Sequence, residues 1–89
     1  MTQPYLEVTF RKGKALAAYL YLPRESGARS AKSVVAAPGL VVDYTRKGKP
    51  MGVEITSPRT VSLAAINRVL RDAGALPLRR TDILPLRAA

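Results

Sequence analysis

The chain has 89 residues, with 15 Lys or Arg against 6 Asp or Glu, and its formal net charge is +9 at pH 7. Compact domains have about 100 to 150 residues, so this length leaves room for one small core. Cysteine and histidine are both absent. Their absence excludes disulfides, thiolate zinc sites and imidazole general bases, and the glycines form no phosphate-binding loop. We therefore predict a protein that is not an enzyme and that holds no metal or cofactor.

The positive charge and the small size bear on the partners. A +9 surface attracts nucleic acid or an acidic protein, although the same charge is equally typical of a generally basic, solvated surface. A domain of this size buries only about 60 to 65% of its unfolded surface, so we expect a homodimer. The sequence has no run of about 18 apolar residues and no apolar segment behind an N-terminal charge, which predicts a cytoplasmic protein that binds no membrane.

Alternating hydrophobicity predicts two strands at the start of the chain. Their core sides carry Leu6, Val8 and Phe10, then Leu16, Ala18, Leu20 and Leu22. A four-residue loop between the strands would turn the second set of leucines to the wrong face, so we predict a five-residue connection or a bulge at Gly13. The opposite side carries tyrosines that would form a dimer interface or, as a second possibility, stack on bases: Tyr5, Tyr19 and Tyr21.

The segment from Pro38 to Pro58 specifies a β-hairpin nearly residue by residue, after an aperiodic loop over residues 24–33 and a short third strand beginning at Val34. Lys47-Gly48 forms the tip and fixes the register. The predicted core pairs are Leu40 with Ile55, Val42 with Val53 and Tyr44 with Met51. Core packing does not explain three residues on the other side, which we interpret as a possible recognition face: Asp43, Gly52 and Glu54.

Asp43 and Glu54 lie diagonally across this hairpin and are the one pair of groups that offers chemistry. Two neighbouring carboxylates can hold a hard cation or act as acid and base. Without histidine or a glycine-rich cradle, however, such carboxylates more often form ion pairs with nearby arginines. We favour the ion pairs.

A helical period begins after residues 57–60 and continues through Leu63, Ile66 and Leu70 to Gly74, a natural C-terminal cap. Thr60 or Ser62 is the predicted N-cap. Residues 75–89 are too apolar for a disordered tail and contain the tetrad Leu-Pro-Leu-Arg twice, at residues 76–79 and 84–87. Chance repetition accounts for the tetrads, but their prolines favour an extended or polyproline arm, which would pair with a strand edge of its own or of a second subunit.

Cations cluster at both predicted hairpin tips and on the polar side of the helix. Side chains at such sites can contact phosphates, with an affinity that falls steeply as salt rises. The predicted polyanion-binding residues are Arg11, Lys12, Lys14, Arg46, Lys47, Lys49, Arg68 and Arg71.

These residues include a pattern that resembles the small bacterial family labelled domain of unknown function 2283. Its members look like a strand carrying Ala-Leu-Tyr-Ile-x-Leu followed by Pro-Gly-Val-Val-Val-Asp-Tyr-Asp-x-x-Gly-x-x-Val-Gly-Ile-Glu-Ile. Residues 17–22 match the first block loosely and residues 38–55 match the second closely. The resemblance implies a compact antiparallel sheet and brings no established activity. The chain departs from the family by its basic residues before the first block and by Thr45 after Asp-Tyr.

The predicted fold is α+β, with a small antiparallel sheet of four to five strands in a meander of hairpins, packed against one C-terminal helix. We expect residues 1–74 to form a single domain and residues 75–89 an extended C-terminal arm. The expected function is that of a small non-enzymatic binding module whose basic surface engages nucleic acid or an acidic protein. The alternative, which the resemblance implies, is an antitoxin-like or accessory interaction component of a toxin-antitoxin pair, although +9 argues against direct neutralisation of a basic toxin.

Overall fold

A computed structural model describes residues 3–87 as a five-stranded antiparallel sheet with one α-helix and one 3-10 helix. The elements are β1 (Tyr5–Arg11), β2 (Lys14–Tyr21), β3 (Ser30–Ala37), β4 (Leu40–Thr45), β5 (Pro50–Ile55), α1 (Leu63–Asp72) and the 3-10 helix (Arg80–Arg87). The predicted α+β class with a small antiparallel sheet and a C-terminal helix is confirmed. The strand order β1-β2-β5-β4-β3 departs from a plain meander, because β5 rather than β3 lies beside β2.

The sheet has a closed face and an open face, built from alternate residues of the same strands. On the closed face, two rows of apolar residues run across β2, β5 and β4 and pack under α1 and the 3-10 helix: Leu20, Val53 and Val42, then Ala18, Ile55 and Leu40. The open face carries the other two rows: Tyr5, Tyr21, Gly52, Asp43 and Ser33, then Glu7, Tyr19, Glu54, Val41 and Val35.

Helix α1 follows the sequence closely. Ser62 is the N-cap, and its Oγ accepts from the Ala65 N–H at 3.0 Å. At the other end Gly74 has φ +79°, and the Ala75 N–H donates to the Leu70 carbonyl at 2.8 Å, which is a Schellman termination. The apolar stripe of the helix, including the fully buried Ile66, closes the core.

The first hairpin needs the extra residue that the sequence predicts, but not at Gly13. Lys12 and Gly13 form a two-residue turn with φ values of 52° and 78°, the conformation that suits the twist of a hairpin. The extra residue is Leu16 within β2, because Thr9 lies opposite Ala17. Leu16 is therefore 54% exposed and, contrary to the prediction, does not join the core, whereas Ala18 and Leu20 beyond the bulge face inward.

The second hairpin has the predicted register over its base and a different one at its tip. Leu40 lies opposite Ile55 and Val42 opposite Val53, as expected. Tyr44, however, lies opposite Pro50, and Met51 is the additional residue. The turn is one residue longer than predicted, since the Thr45 N–H donates to the Lys49 carbonyl at 2.8 Å and leaves three residues, 46–48, between them. This extra residue shifts the register at the tip, and the bulge at Met51 restores the predicted register at the base.

β3 is longer than the sequence predicts. It begins at Ser30 rather than at Val34, so the aperiodic loop is confined to the residues before it. Residues 30–36 have exposed side chains, and their strand conformation comes from backbone pairing with β4. Backbone pairing does not require alternating hydrophobicity, so the sequence predicts a loop for the early part of this strand.

The prediction of an extended arm is wrong for residues 80–87, which form the 3-10 helix and dock on the closed face through the buried Ile83 and Leu86. Asn67 holds the approach to this helix, because its side-chain amide donates to the Leu78 carbonyl at 3.0 Å and accepts from the Leu78 N–H at 2.8 Å. Apolar burial and this amide clamp outweigh the extended preference of the prolines. Residues 88–89 lie outside the described part of the chain.

Hydrogen bonds to charged side chains hold both ends of the 3-10 helix. The Arg79 N–H donates to the Asp82 carboxylate at 2.7 Å, and this bond lowers the pKa of Asp82 below its usual range. At the far end the Arg87 guanidinium donates to the carbonyls of Pro58 and Val61. Neither helix within residues 3–87 is long and apolar enough to cross a membrane.

Candidate functional site

The predicted polyanion-binding residues fall in three separate places. The turn bearing Arg11, Lys12 and Lys14 lies at the start of β2, whereas the end of β2 lies beside the hairpin tip formed by residues 46–49. The eight residues of β2 span about 25 Å, so the two tips are at opposite ends of the sheet. Arg68 and Arg71 are exposed on α1, and Arg71 contacts the Asp72 carboxylate at 3.5 Å. Because the two tips are separated by the length of β2, they cannot both contact one phosphate.

One tip gains two cations that sequence reasoning missed. The loop after β2 starts next to β5, with the Leu22 N–H donating to the Met51 carbonyl at 2.9 Å, and it ends where Ser30 pairs with Thr45. Both ends of this loop thus lie beside the β4–β5 turn. The loop supplies two arginines to the three cations of the turn, and we call the five residues the tip cluster: Arg24, Arg29, Arg46, Lys47 and Lys49.

The tip cluster surrounds a cleft of about 330 Å³ between the loop and the turn. Glu25 is the one carboxylate among the residues that line this cleft. Five cations against one anion produce a strongly positive local potential, which favours a ligand carrying several negative charges. The signal for Arg24 and Arg29 was present in the sequence as a basic loop, but only the strand order brings that loop to the hairpin tip.

Arg24 also connects the tip cluster to the tyrosines of the open face. Its guanidinium lies 5.2 Å from the centre of the Tyr21 ring, within the range of a cation–π contact. Tyr21 in turn stacks on Tyr5 with ring centres 4.4 Å apart and meets the edge of Tyr19 at 4.7 Å. The three predicted tyrosines do come together on one face, and they pack on one another within a single chain.

Asp43 is held by two hydroxyl groups. The Tyr19 hydroxyl donates to one carboxylate oxygen at 2.6 Å, and the Ser33 hydroxyl donates to the other at 2.5 Å. These donors are not the arginines that we expected. Burial, and after it the bond to Asp43, raises the pKa of Tyr19 well above its usual range. Asp43 therefore ties β2 and β3 to β4 on the open face.

Gly52 is explained by the same contact. Its open-face side lies directly under Tyr19, and a Cβ built on Gly52 would be 2.4 Å from the tyrosine ring. Ordinary heavy-atom contacts are about 3.5 to 4.0 Å, so no side chain fits there while the tyrosine reaches Asp43. Packing rather than ligand binding accounts for this glycine.

The remaining carboxylates make the open face acidic. The Tyr21 hydroxyl donates to Glu7 at 3.2 Å, which is the main reason that the pKa of Tyr21 is raised, and Glu54 is exposed in the row of Tyr19. Within residues 3–87 the structure brings no three metal-ligating side chains together. Together with Asp43 these carboxylates repel phosphate, so a nucleic acid lying flat over the tyrosines is disfavoured.

A larger cleft of about 650 Å³ lies at the same end of the sheet, near the connection between α1 and the 3-10 helix. Its lining is mainly apolar and includes Leu22, Leu76 and Leu78, and its charged lining residues are Lys49, Arg79 and Asp82. Of the predicted site residues it includes Lys49 and Tyr5. Comparison of the chain with family models, curated proteins and solved structures found no match.

Proposed function

We propose that this protein is a small non-enzymatic binding module that engages the phosphates of nucleic acid through the tip cluster. The observation that carries the proposal is the gathering of five cations from two loops around one cleft, with Glu25 as its one acidic neighbour. Side chains of Lys and Arg on loops at a strand end can each reach a separate phosphate. The acidic open face directs the nucleic acid to this end of the sheet.

The expected salt dependence follows from the number of phosphates neutralised. About five contacts give a slope of log affinity against log salt of about −3.5 for a single strand and −4.5 for a duplex. Between about 0.05 M and 0.2 M salt the affinity should therefore fall by about 100-fold or more. Fluorescence anisotropy with a labelled oligonucleotide of random sequence measures this slope.

A pair of charge-reversal variants locates the site. The triple substitution R46E, K47E and K49E changes the net charge from +9 to +3, because three charges reverse by 2 each, and so does the triple substitution R11E, K12E and K14E. We expect the first variant to lose binding at low salt and the second to keep most of the affinity of the unaltered chain. Equal losses in both would show a diffuse effect of net charge and would contradict a site at the tip cluster.

Two further outcomes separate nucleic acid from an acidic protein. Binding to polyglutamate without binding to single-stranded or duplex oligonucleotides would assign the tip cluster to an acidic protein partner. No binding to any polyanion at low ionic strength would overturn the proposal altogether.

We also propose a homodimer, a cytoplasmic location and membership of the family labelled domain of unknown function 2283. The resemblance of residues 38–55 supports the family, and the small core supports the dimer. The antitoxin-like role stays a prediction of that resemblance. Affinity purification from the native host tests it, since an antitoxin-like component should recover one partner protein in a stoichiometric amount.

A further inference from the structure

The outer edge of β3 is open. β3 is the last strand of the sheet, it has eight residues, and the side chains of residues 30–36 are exposed. Val35 is 72% exposed on the open face and Val34 is 36% exposed on the closed face. A long edge strand with exposed apolar residues is a template for another strand.

The two edges of the sheet differ in the proline and the charged residues that they carry. β1 follows Pro4, carries Glu7 and Arg11, and is contacted by the 3-10 helix. Charges, proline and a covering element are the usual means by which proteins block an edge. β3 contains no proline, and Lys32 is its one charged residue. Helix α1 contacts β3, and the pairing of β3 with β4 is irregular on either side of residues 32–35, so these four residues are the regular stretch that a partner strand can join. A partner strand is therefore expected at β3 rather than at β1.

The hydrogen bonds of β4 show which groups of β3 point outward. The Thr56 N–H donates to the Gly39 carbonyl and the Thr45 N–H donates to the Lys49 carbonyl, so the odd-numbered residues of β4 bond β5 and the even-numbered ones face β3. Val34 lies opposite Val42 and thus bonds β4. By alternation the backbone groups of Ser33 and Val35 point to the open edge.

We propose that β3 pairs antiparallel with β3 of a second copy of this chain, about a two-fold axis at Val34. In this register Ser33 lies opposite Val35 of the second copy and Val35 opposite its Ser33. Ser33 of each copy then forms two backbone hydrogen bonds with Val35 of the other copy. The two Val34 side chains contact each other on the closed face. The result is one continuous ten-stranded sheet. This inference rests on the proposed homodimer and names its surface.

The Lys32 side chains of the two copies are too far apart to oppose this register, but the net charges of the two chains repel each other. The two Lys32 residues are offset by four positions, or about 13 Å along the strands, which exceeds the Debye length of about 10 Å at 0.1 M salt. Two chains of +9 repel one another nevertheless. Added salt screens that repulsion, so dimerisation should strengthen with salt while binding to nucleic acid weakens.

Sedimentation equilibrium over a range of protein concentrations, at about 0.1 M and 0.5 M salt, tests the pairing. We expect the unaltered chain to approach twice the mass of one chain, more completely at the higher salt. Val35→Pro removes a backbone donor that points outward, a change that an edge strand tolerates, and should leave a folded single chain. Val35→Thr keeps both the donor and the branched side chain and should dimerise like the unaltered chain.

Val34→Lys is a second way to break the pair, because it places two lysines directly opposite each other at the axis. It should weaken dimerisation at least tenfold at the lower salt, and circular dichroism at low concentration confirms that both variants fold. A single-chain mass for the unaltered protein in all conditions would overturn both the homodimer and its surface. A dimer that persists in Val35→Pro and Val34→Lys would keep the homodimer and overturn the pairing through β3.

Discussion

The closed and open faces of the sheet alternate along the same five strands, yet different interactions hold each face together. The core of the closed face is apolar, with Leu40, Val53 and Ile55 fully buried under the two helices. The open face is joined by hydroxyl-to-carboxylate bonds. The bond from Tyr19 to Asp43 connects β2 with β4, two strands that are not adjacent. One face is stabilised by area removed from water, the other by a few directional contacts.

The directional contacts of the open face account for residues that core packing does not explain. Because core packing does not explain them, the sequence predicts Asp43 and Gly52 as part of a recognition face and the three tyrosines as a dimer interface or a stacking surface. On the open face they form a structural network of their own, so their residue types follow from each other. The candidate site lies instead at the end of the sheet, where the two faces meet the loops.

The largest expected effect comes from a substitution in the 3-10 helix, which packs on the closed face and which the sequence did not predict. Leu86→Ala should lower the free energy of unfolding by about 2 to 5 kcal/mol, because Leu86 is fully buried beneath the sheet. Leu84→Ala is the matched control, since Leu84 begins the same tetrad and is 58% exposed, and it should change stability by no more than about 0.5 kcal/mol. Urea denaturation followed by circular dichroism measures both. Similar losses would contradict the docking of the 3-10 helix.

An intermediate loss of stability is expected from a substitution on the open face. Gly52→Ala places a methyl group where the Tyr19 ring lies, so it should cost about 1 to 3 kcal/mol by displacing that ring from Asp43. In a Tyr19→Ala background the same substitution should cost almost nothing, because the obstructing ring is gone. A double-mutant cycle by urea denaturation gives this coupling directly. Additive losses would mean that the two residues do not interfere.

The smallest expected effect comes from removing the Tyr19 hydroxyl, and it depends on pH. Tyr19→Phe should cost about 1 kcal/mol at neutral pH by removing one hydrogen bond. The folded pKa of Tyr19 is raised above the ordinary 10.0, so above that pH the unfolded chain loses its proton first and the folded state loses stability as pH rises. Denaturation midpoints measured from neutral to alkaline pH should therefore decline less steeply in Tyr19→Phe than in the unaltered chain.

Tyr21→Phe provides the comparison for that experiment. The pKa of Tyr21 is also raised, mainly by its bond to Glu7, but that bond is solvent-exposed. Its removal should flatten the alkaline decline less than Tyr19→Phe does. If the two variants followed the same curve as the unaltered chain, the bond between Tyr19 and Asp43 would not contribute to stability.

Local patterns predicted the parts of this fold whose causes lie close together in the chain. The pairing of Leu40 with Ile55 follows from the apolar alternation of two strands close in sequence, and the capping of α1 at Ser62 and Gly74 follows from residues at its two ends. The predictions failed where a backbone detail or a distant contact decides. The bulge at Leu16, the early start of β3 and the Asn67 clamp on Leu78 leave no periodic signal.

By itself, the sequence determined the α+β class, the alternation of the strands, the helix and the excess of positive charge, because each depends on residue type and short-range spacing. The tertiary structure alone decided that the basic loop of Arg24 and Arg29 meets the tip at Lys47, and that Asp43 binds Tyr19. Both depend on β5 lying between β2 and β4. That strand order is set by the summed burial of the whole core, which no short segment encodes.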